Sequence, residues 1–301
     1  CAKPDPGVPI TTSSNEAKDL FVQGRDLFEN ADLLAAAKLF DQAIAKDSTF
    51  ALAYSYRAFA GGGSQVVRIN LEKAQALAAK VTEGERTYIN YMQALSDADR
   101  SKQKEHLDKL LAMFPEDKRL KLAAGENFRG IGDYAAAVEW YKRATQIDSN
   151  FAPVYNLMGY AYMAQQKFDA AEKAFKDYVR LLPKMSNPYD SYAEFLLKMG
   201  RYDESIAQYQ KAYDMHNLFI GSLSGIGNNY LFKGDFAKAR EYYQMYFDNA
   251  TQVNNKLTAL YYKAYSFMYE NKLDDAIKAF DERRAFAEKE KQPGSVVNSY
   301  A

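Results

Sequence analysis

Histidine, cysteine and a glycine run are the first places to look for catalysis or ligand binding in this sequence. The two histidines, His106 and His216, are widely separated along the chain, so a shared metal site is not expected. The run Gly61-Gly62-Gly63-Ser64 lacks the lysine and the preceding strand of a phosphate-binding loop, which favours a turn. The only cysteine is Cys1, which can form neither an internal disulfide nor a Cys-based metal site.

One pair of carboxylates has the spacing of an acid–base pair. Asp190 and Glu194 are four residues apart and would share one face of a helix, where two carboxyl groups can act as general acid and base. Lys198 continues the same row, which favours a solvated, charged helix face. The nucleotide-binding, serine-hydrolase and zinc-protease motifs are missing as well. The sequence therefore predicts a protein without an enzymatic site, a bound metal or a cofactor.

The composition excludes some classes of partner. Of 301 residues, 48% are hydrophobic, and 39 Lys and Arg balance 39 Asp and Glu. Nucleic-acid-binding proteins usually carry a basic excess or a basic stripe, so no nucleic-acid partner is expected. No apolar stretch approaches the roughly 18 residues of a transmembrane helix, so no membrane span is expected either.

The N-terminus suggests a different kind of membrane attachment. A chain that begins with cysteine resembles a processed bacterial lipoprotein, which carries lipid on that residue. Residues 1–15 are rich in Pro, Ser, Thr and Gly, a composition that favours a flexible, solvated tether. The resemblance implies lipidation of Cys1, no other membrane contact, and location in the bacterial cell envelope at the outer membrane. The alternative is that the chain merely happens to begin at Cys1.

Internal periodicity organises the rest of the chain. Small residues recur every 34 residues at Gly125, Gly159, Ala193 and Gly227. A second small residue follows twelve positions later and an aromatic residue four positions after that, as in Ala137 and Tyr141. This pairing predicts close helix packing, because the small side chain lets the ring of the neighbouring helix approach. Turn signals such as Gly132-Asp133 and Gly234-Asp235 predict a left-handed helix end followed by an N-cap.

These features resemble the tetratricopeptide repeat (TPR), a helix–turn–helix unit, and the chain is similar to bacterial TPR lipoproteins of unknown function. The resemblance implies an all-α fold, a right-handed superhelical solenoid of about eight helix pairs. Repeats 2 and 3 depart from the pattern and are expected to pack irregularly. Residues 291–301 are expected to begin a further helix or a truncated repeat. The expected repeats are 17–50, 51–83, 84–117, 118–151, 152–185, 186–219, 220–253 and 257–290.

In this family the first helix of each repeat lines a concave groove, which implies a binding surface for another protein or an extended peptide. Carried over by repeat position, the candidate groove residues are Tyr88, Met92, Arg129, Asn156, Tyr160, Asp190, Glu194, Asn228, Tyr261 and Tyr265. The expected function is a non-enzymatic, lipid-anchored scaffold or adaptor. Two alternatives remain open: a glycan- or small-ligand-binding lipoprotein of the envelope, and the N-terminal scaffold region of a longer protein.

Overall fold

The computed structural model describes residues 6–215 and 219–290, and in these ranges the chain is entirely helical, with sixteen α-helices in eight pairs and no strand. Cys1, His216 and residues 291–301 lie outside the described residues. The helices are α1 (Asn15–Glu29), α2 (Leu33–Lys46), α3 (Ala51–Phe59), α4 (Gly63–Leu77), α5 (Glu83–Ser96), α6 (Arg100–Met113), α7 (Lys118–Gly130), α8 (Tyr134–Ile147), α9 (Ala152–Ala164), α10 (Phe168–Leu181), α11 (Ser186–Lys198), α12 (Tyr202–Met215), α13 (Gly221–Phe232), α14 (Phe236–Asn249), α15 (Val253–Tyr269) and α16 (Leu273–Lys289).

The chain forms two units. The N-terminal unit, Cys1–Leu181, contains the helix pairs of repeats 1 to 5, and the C-terminal unit, Leu182–Ala301, contains those of repeats 6 to 8. In each unit a helix packs mainly against its sequence neighbours, which is the arrangement of an α-solenoid. The predicted fold class, an array of eight helix pairs, is confirmed.

Small residues hold the two helices of a repeat close together, as their spacing predicted. A Cβ atom added to Gly159 in α9 would lie 2.6 Å from the ring of Phe175 in α10, and one added to Gly227 would lie 2.5 Å from Tyr243. Both rings are almost completely buried. Glycine is required at these positions because any side chain would occupy the space of the ring.

The turns between paired helices also follow their predicted chemistry. Gly132 and Gly234 have φ values of 83° and 82°, which places them in the left-handed region that glycine tolerates. Asp133 and Asp235 then cap the second helix, and each side chain accepts a hydrogen bond from the backbone N–H three residues later. In repeat 5, Gln166 adopts the same left-handed conformation without a glycine.

Two repeats contain local irregularities. In repeat 2, α3 is only nine residues long, Gly62 in the left-handed region precedes α4, and a 3-10 turn at Ala78–Lys80 follows it. Gly61 and Gly62 therefore form the predicted turn, whereas Gly63 and Ser64 already belong to the beginning of α4. In repeat 8, α15 has seventeen residues against the twelve of α13 because the extra residues of this repeat add a turn to its beginning.

The N-terminal segment differs from the predicted tether. Residues 7–14, which we call the N-terminal strap, lie against the N-terminal unit before α1 begins at Asn15. Val8 and Ile10 pack on two different hydrophobic clusters of this unit. The prediction of a flexible tether through residue 15 is therefore wrong for the strap, because carboxylates far along the chain accept hydrogen bonds from its backbone.

Candidate functional site

In the C-terminal unit, the first helices α11, α13 and α15 carry five of the predicted groove residues. On α11, the Asp190 carboxylate accepts a 2.6 Å hydrogen bond from the Ser222 hydroxyl of α13. The pKa of Asp190 is raised to about 6, mainly by burial; the hydrogen bond from Ser222 opposes this rise, and the negative charge of Glu194 adds to it. Glu194 forms an ion pair with Lys198 at 2.8 Å, so this carboxylate belongs to the solvated charged row expected from the sequence.

Asn228 on α13 is held by a side chain from the second helix of its own repeat. The Tyr243 hydroxyl donates a 2.9 Å hydrogen bond to Asn228 Oδ1. Because Oδ1 of Asn228 accepts the hydrogen bond from Tyr243, the NH₂ group of the same amide is oriented to donate a hydrogen bond to a partner. A peptide carbonyl is the natural acceptor for such a group.

The most exposed aromatic surface of this unit lies on α15. The rings of Tyr261, Tyr265 and Tyr269 form a row with centroid separations of 5.2 Å and 5.8 Å. Tyr265 and Tyr269 are 37% and 53% exposed, and Met268 beside them is 44% exposed. Tyrosine and methionine are adaptable contact residues at protein interfaces. This tyrosine row, defined as residues 261, 265 and 269, is thus a contiguous apolar surface with polar tips.

A cavity adjoins the tyrosine row at Tyr261. It has a volume of about 330 Å³ and is open to solvent. The guanidinium of Arg283 lies 5.8 Å from the Tyr261 ring, and its Nε donates to the Leu257 carbonyl at 3.2 Å. The cavity is lined by Asn254, Leu257, Thr258, Tyr261, Tyr262 and Arg283.

In the N-terminal unit, one predicted groove residue is buried and a second is partly buried against the core. Met92 is only 5% exposed and packs in a cluster with Leu107 and Leu110, so its assignment to a binding groove is wrong. The Tyr88 hydroxyl donates a 2.9 Å hydrogen bond to the Tyr56 hydroxyl, and the two rings are stacked 5.7 Å apart. Burial holds the pKa of Tyr88 well above its ordinary value. Tyr88 therefore packs against the core of this unit through Tyr56.

Three other predicted groove residues of this unit are partly exposed. Arg129 forms an ion pair with Glu126 at 2.7 Å on α7. On α9, the Tyr160 ring meets Phe175 edge-on at 5.2 Å. Asn156 Oδ1 is buried and accepts no hydrogen bond from the described residues. Asn156 and Tyr160 give α9 a small polar and aromatic patch.

The N-terminal unit contains a charged cluster that was not predicted from the sequence. Arg119 on α7 donates to Glu29 on α1 with an Nε–Oε1 distance of 2.5 Å, and both side chains are mostly buried. Burial raises the pKa of Glu29, although Arg119 and Arg25 counteract this effect. Arg119 falls at a groove position of its repeat, but Glu29 is 90 positions away, so the repeat spacing did not predict that the two side chains pair.

The described residues contain no cluster of His, Cys, Asp and Glu suited to a metal ion. Among the same residues, no helix is long and apolar enough to cross a bilayer. The lone tryptophan, Trp140, is half-buried on α8 with Arg143 and Lys121 over its ring.

Comparisons with known proteins agree with the repeat pattern. Sequence models described as TPR repeat or tetratricopeptide repeat match residues 125–166, 152–184 and 185–252. The fold is similar to yeast Tom70, with a TM-score of 0.61 at 19% identity over 99% of this chain and 66% of that one. It is also similar to PilW, described as a type IV pilus biogenesis factor, with a TM-score of 0.57 at 13% identity over 68% and 94% of the two chains.

Curated relatives match only parts of the sequence. Anaphase-promoting complex subunit 3 of Schizosaccharomyces pombe is 24% identical over 156 residues, which are 52% of this chain and 23% of the relative. Superkiller complex protein 3 of Mus musculus is 29% identical over 150 residues, which are 46% of this chain and 9% of the relative. The chain thus spans less than a quarter of either relative.

Proposed function

This chain is a tetratricopeptide repeat protein, and we propose on that premise that it is a non-enzymatic scaffold that binds another protein through its C-terminal unit. Tetratricopeptide repeat proteins act as protein-interaction scaffolds and are generally non-catalytic. The similarity to a subunit of the anaphase-promoting complex, an assembly of several proteins, is in keeping with such a role.

The observation that carries the proposal is the tyrosine row on α15. Buried aromatic residues are normal in such repeats, but Tyr265, Met268 and Tyr269 are exposed side by side. Exposed apolar surface of this kind usually marks an interaction site. Tyrosine supplies a large contact area with few rotatable bonds, and its hydroxyl remains able to hydrogen bond.

The neighbouring first helices supply polar groups for the same partner. Asn228 presents an amide donor, while Asp190 and Glu194 supply acceptors on α11. A peptide in an extended conformation exposes both its carbonyl and its N–H groups, so it can hydrogen bond to the amide donor and to the carboxylate acceptors. The patch of Asn156 and Tyr160 on α9 is a second, smaller candidate surface in the N-terminal unit.

We also propose that lipid on Cys1 attaches the protein to the bacterial cell envelope, at the outer membrane. The support is the cysteine at position 1. A single acyl chain anchors a protein only marginally, whereas the several chains of a lipoprotein give stable attachment.

One experiment tests the anchor and the partner together. The protein is purified from its native membrane, intact mass spectrometry reports whether Cys1 carries lipid, and co-purifying proteins are identified. Tyr265→Ala with Met268→Ala is the test variant, because both side chains are exposed and their loss costs little stability. We expect this variant to lose the main partner at unchanged thermal stability.

The matched control is Glu241→Ala with Gln244→Ala on α14, two exposed residues of the same unit outside the tyrosine row. It is expected to retain the partner. If both variants capture the partner equally, the binding site is not on α15. If the mass shows that Cys1 is unmodified, the lipid anchor is contradicted but the binding site is not. Glycan binding lost in the test variant, without any protein partner, would favour the alternative of a carbohydrate-binding protein.

A further inference from the structure

The N-terminal strap occupies a trough that is built to receive an extended chain. It crosses three successive turns between repeats of the N-terminal unit, and at each turn a carboxylate accepts its hydrogen bonds. Val8 N–H donates to Asp117 at 3.0 Å, Thr11 N–H to Glu85 at 2.6 Å, and Ser13 N–H to Asp47 at 2.8 Å.

Each of these carboxylates accepts hydrogen bonds both from its own turn and from the strap. Asp117 Oδ1 caps α7 through the Arg119 N–H while Oδ2 accepts from Val8. Asp47 Oδ1 holds Thr49 while Oδ2 accepts from the strap. At each turn the carboxylate thus satisfies local donors and keeps a further acceptor directed into the trough.

Glu85 is the centre of the trough and has no solvent exposure. It forms a capping box with Thr82 at the beginning of α5. The Thr11 hydroxyl donates to Glu85 Oε2 at 2.6 Å in addition to the backbone bond at Oε1. Burial of a carboxylate without hydrogen-bond donors is unfavourable, so the site requires a donor at the position of Thr11.

Apolar contacts fix the register of the strap. Val8 and Ile10 alternate with exposed neighbours and pack on separate hydrophobic clusters, the pattern of an extended segment with one face bound. Pro9 lies between them, its Cδ 3.5 Å from where a Cβ of Gly84 would be. Backbone pairing combined with pockets for alternate side chains is a common mode of peptide recognition.

We propose that this trough is a second peptide-binding site, for which the strap is an intramolecular ligand. The ligand class is an extended segment with apolar residues at positions one and three, followed by Thr or Ser at positions four to six. All three carboxylates only accept hydrogen bonds, so the segment must supply donors there. An acidic or phosphorylated side chain at position four is excluded by repulsion from Glu85.

A partner segment of this class competes with the strap, which has the advantage of covalent attachment. The effective concentration of a short tethered segment is on the order of millimolar. A free peptide therefore binds the native chain weakly and binds a chain with a weakened strap more tightly. The site lies wholly in the N-terminal unit, so it is independent of the tyrosine row.

The test uses the full chain and a fluorescein-labelled peptide with the sequence of residues 6–15, followed by anisotropy. Val8→Ser with Thr11→Ala weakens the strap without touching the trough. We expect at least tenfold tighter binding of the peptide to this variant than to the native chain. A peptide with Thr11→Glu, and a scrambled peptide, are expected not to compete. Absence of binding to the folded variant, or equal competition by the scrambled peptide, overturns the proposal.

Hydrogen exchange on the native chain covers the case in which the variant does not fold. The N–H groups of Val8, Thr11 and Ser13 are expected to exchange together and at least tenfold faster than the slowest amides of α1. That result means that the strap leaves the trough while the unit stays folded. Exchange of the strap only through global unfolding contradicts the proposal, because the trough would then never be open to a partner.

Discussion

Arg119 Nε and Glu29 Oε1 are 2.5 Å apart and join α7 to α1 across 90 residues of sequence. Arg119 also approaches Asp26 at 3.5 Å, and the charge of Glu29 raises the pKa of its guanidinium despite burial. The interior of the N-terminal unit is therefore fixed by a charged contact between its first and fourth repeats. Nearest-neighbour packing alone, which usually describes such arrays, does not account for this unit.

Replacement of Arg119 by Ala is expected to destabilise the N-terminal unit by about 3 kcal/mol, because it leaves the buried Glu29 carboxylate without its main partner. The measurement is urea unfolding followed by Trp140 fluorescence, which reports on this unit alone. Adding Glu29→Gln to the variant is expected to recover a large part of the loss. Arg129→Ala, which removes an exposed ion pair on the same helix, is the control and should change stability by less than about 0.5 kcal/mol.

Glycine to alanine substitutions are expected to have opposite effects at two positions of the N-terminal unit. Gly159→Ala places a methyl group 2.6 Å from the buried Phe175 ring and is expected to cost about 1–3 kcal/mol. Gly130→Ala, at the end of α7, meets nothing within 4 Å and is expected to stabilise the unit by about 0.5 kcal/mol. Urea unfolding measures both. A loss of similar size at both positions would contradict the role given to the glycine–aromatic pairs.

The glycine–aromatic pairs and the helix ends could be predicted from the sequence because both depend on local or periodic patterns. Gly159 and Phe175 belong to one repeat, and Gly132 and Asp133 are neighbours, so spacing alone predicts their contacts. Met92 was assigned wrongly because the position rule assumes a regular repeat. It lies in one of the two repeats that depart from the pattern, where its side chain joins the core.

The strap and the charged cluster depend on contacts that no local pattern records. The acceptor for Thr11 lies 74 residues away and the acceptor for Val8 lies 109 residues away. The composition of residues 7–14 is typical of a linker, and the alternation of Val8 and Ile10 is too short a pattern to predict a bound extended segment. Without knowledge of how repeats 1 to 4 curve together, that signal could not be assigned to a surface.

The hold of Asp47 on the strap is expected to weaken in acid. Burial alone would raise the pKa of Asp47, but hydrogen bonds from Thr12 and Thr49 hold the pKa well below its ordinary value of 3.8. A lowered carboxyl pKa contributes stability that is complete above the unfolded value and is lost as pH falls below it. The native chain is therefore expected to exceed Asp47→Asn in stability above pH 5 by about 1 kcal/mol. The difference should shrink below pH 4 in urea titrations; a constant difference would contradict this account.

Asp190 is expected to show the opposite pH dependence. Its pKa of about 6 lies above the ordinary value of 3.8, so its contribution to stability is present below the ordinary value and is lost as pH rises through 6. Asp190→Asn should therefore stabilise the C-terminal unit at pH 7.5, by at most about 3 kcal/mol for a shift of about two units, and have little effect at pH 4.

The pKa of Asp190 itself is measured by carbon-13 NMR of its carboxyl group in the native chain. Ser222→Ala removes a hydrogen bond that favours the ionised form, so the pKa should rise further above 6 in that variant. Ser224→Ala on the same helix is the matched control, since the Ser224 hydroxyl donates to the Gly221 carbonyl and not to Asp190. A pKa near 4 in the native chain, or no rise in Ser222→Ala, would mean that water reaches Asp190 and that its carboxylate is not held by α13.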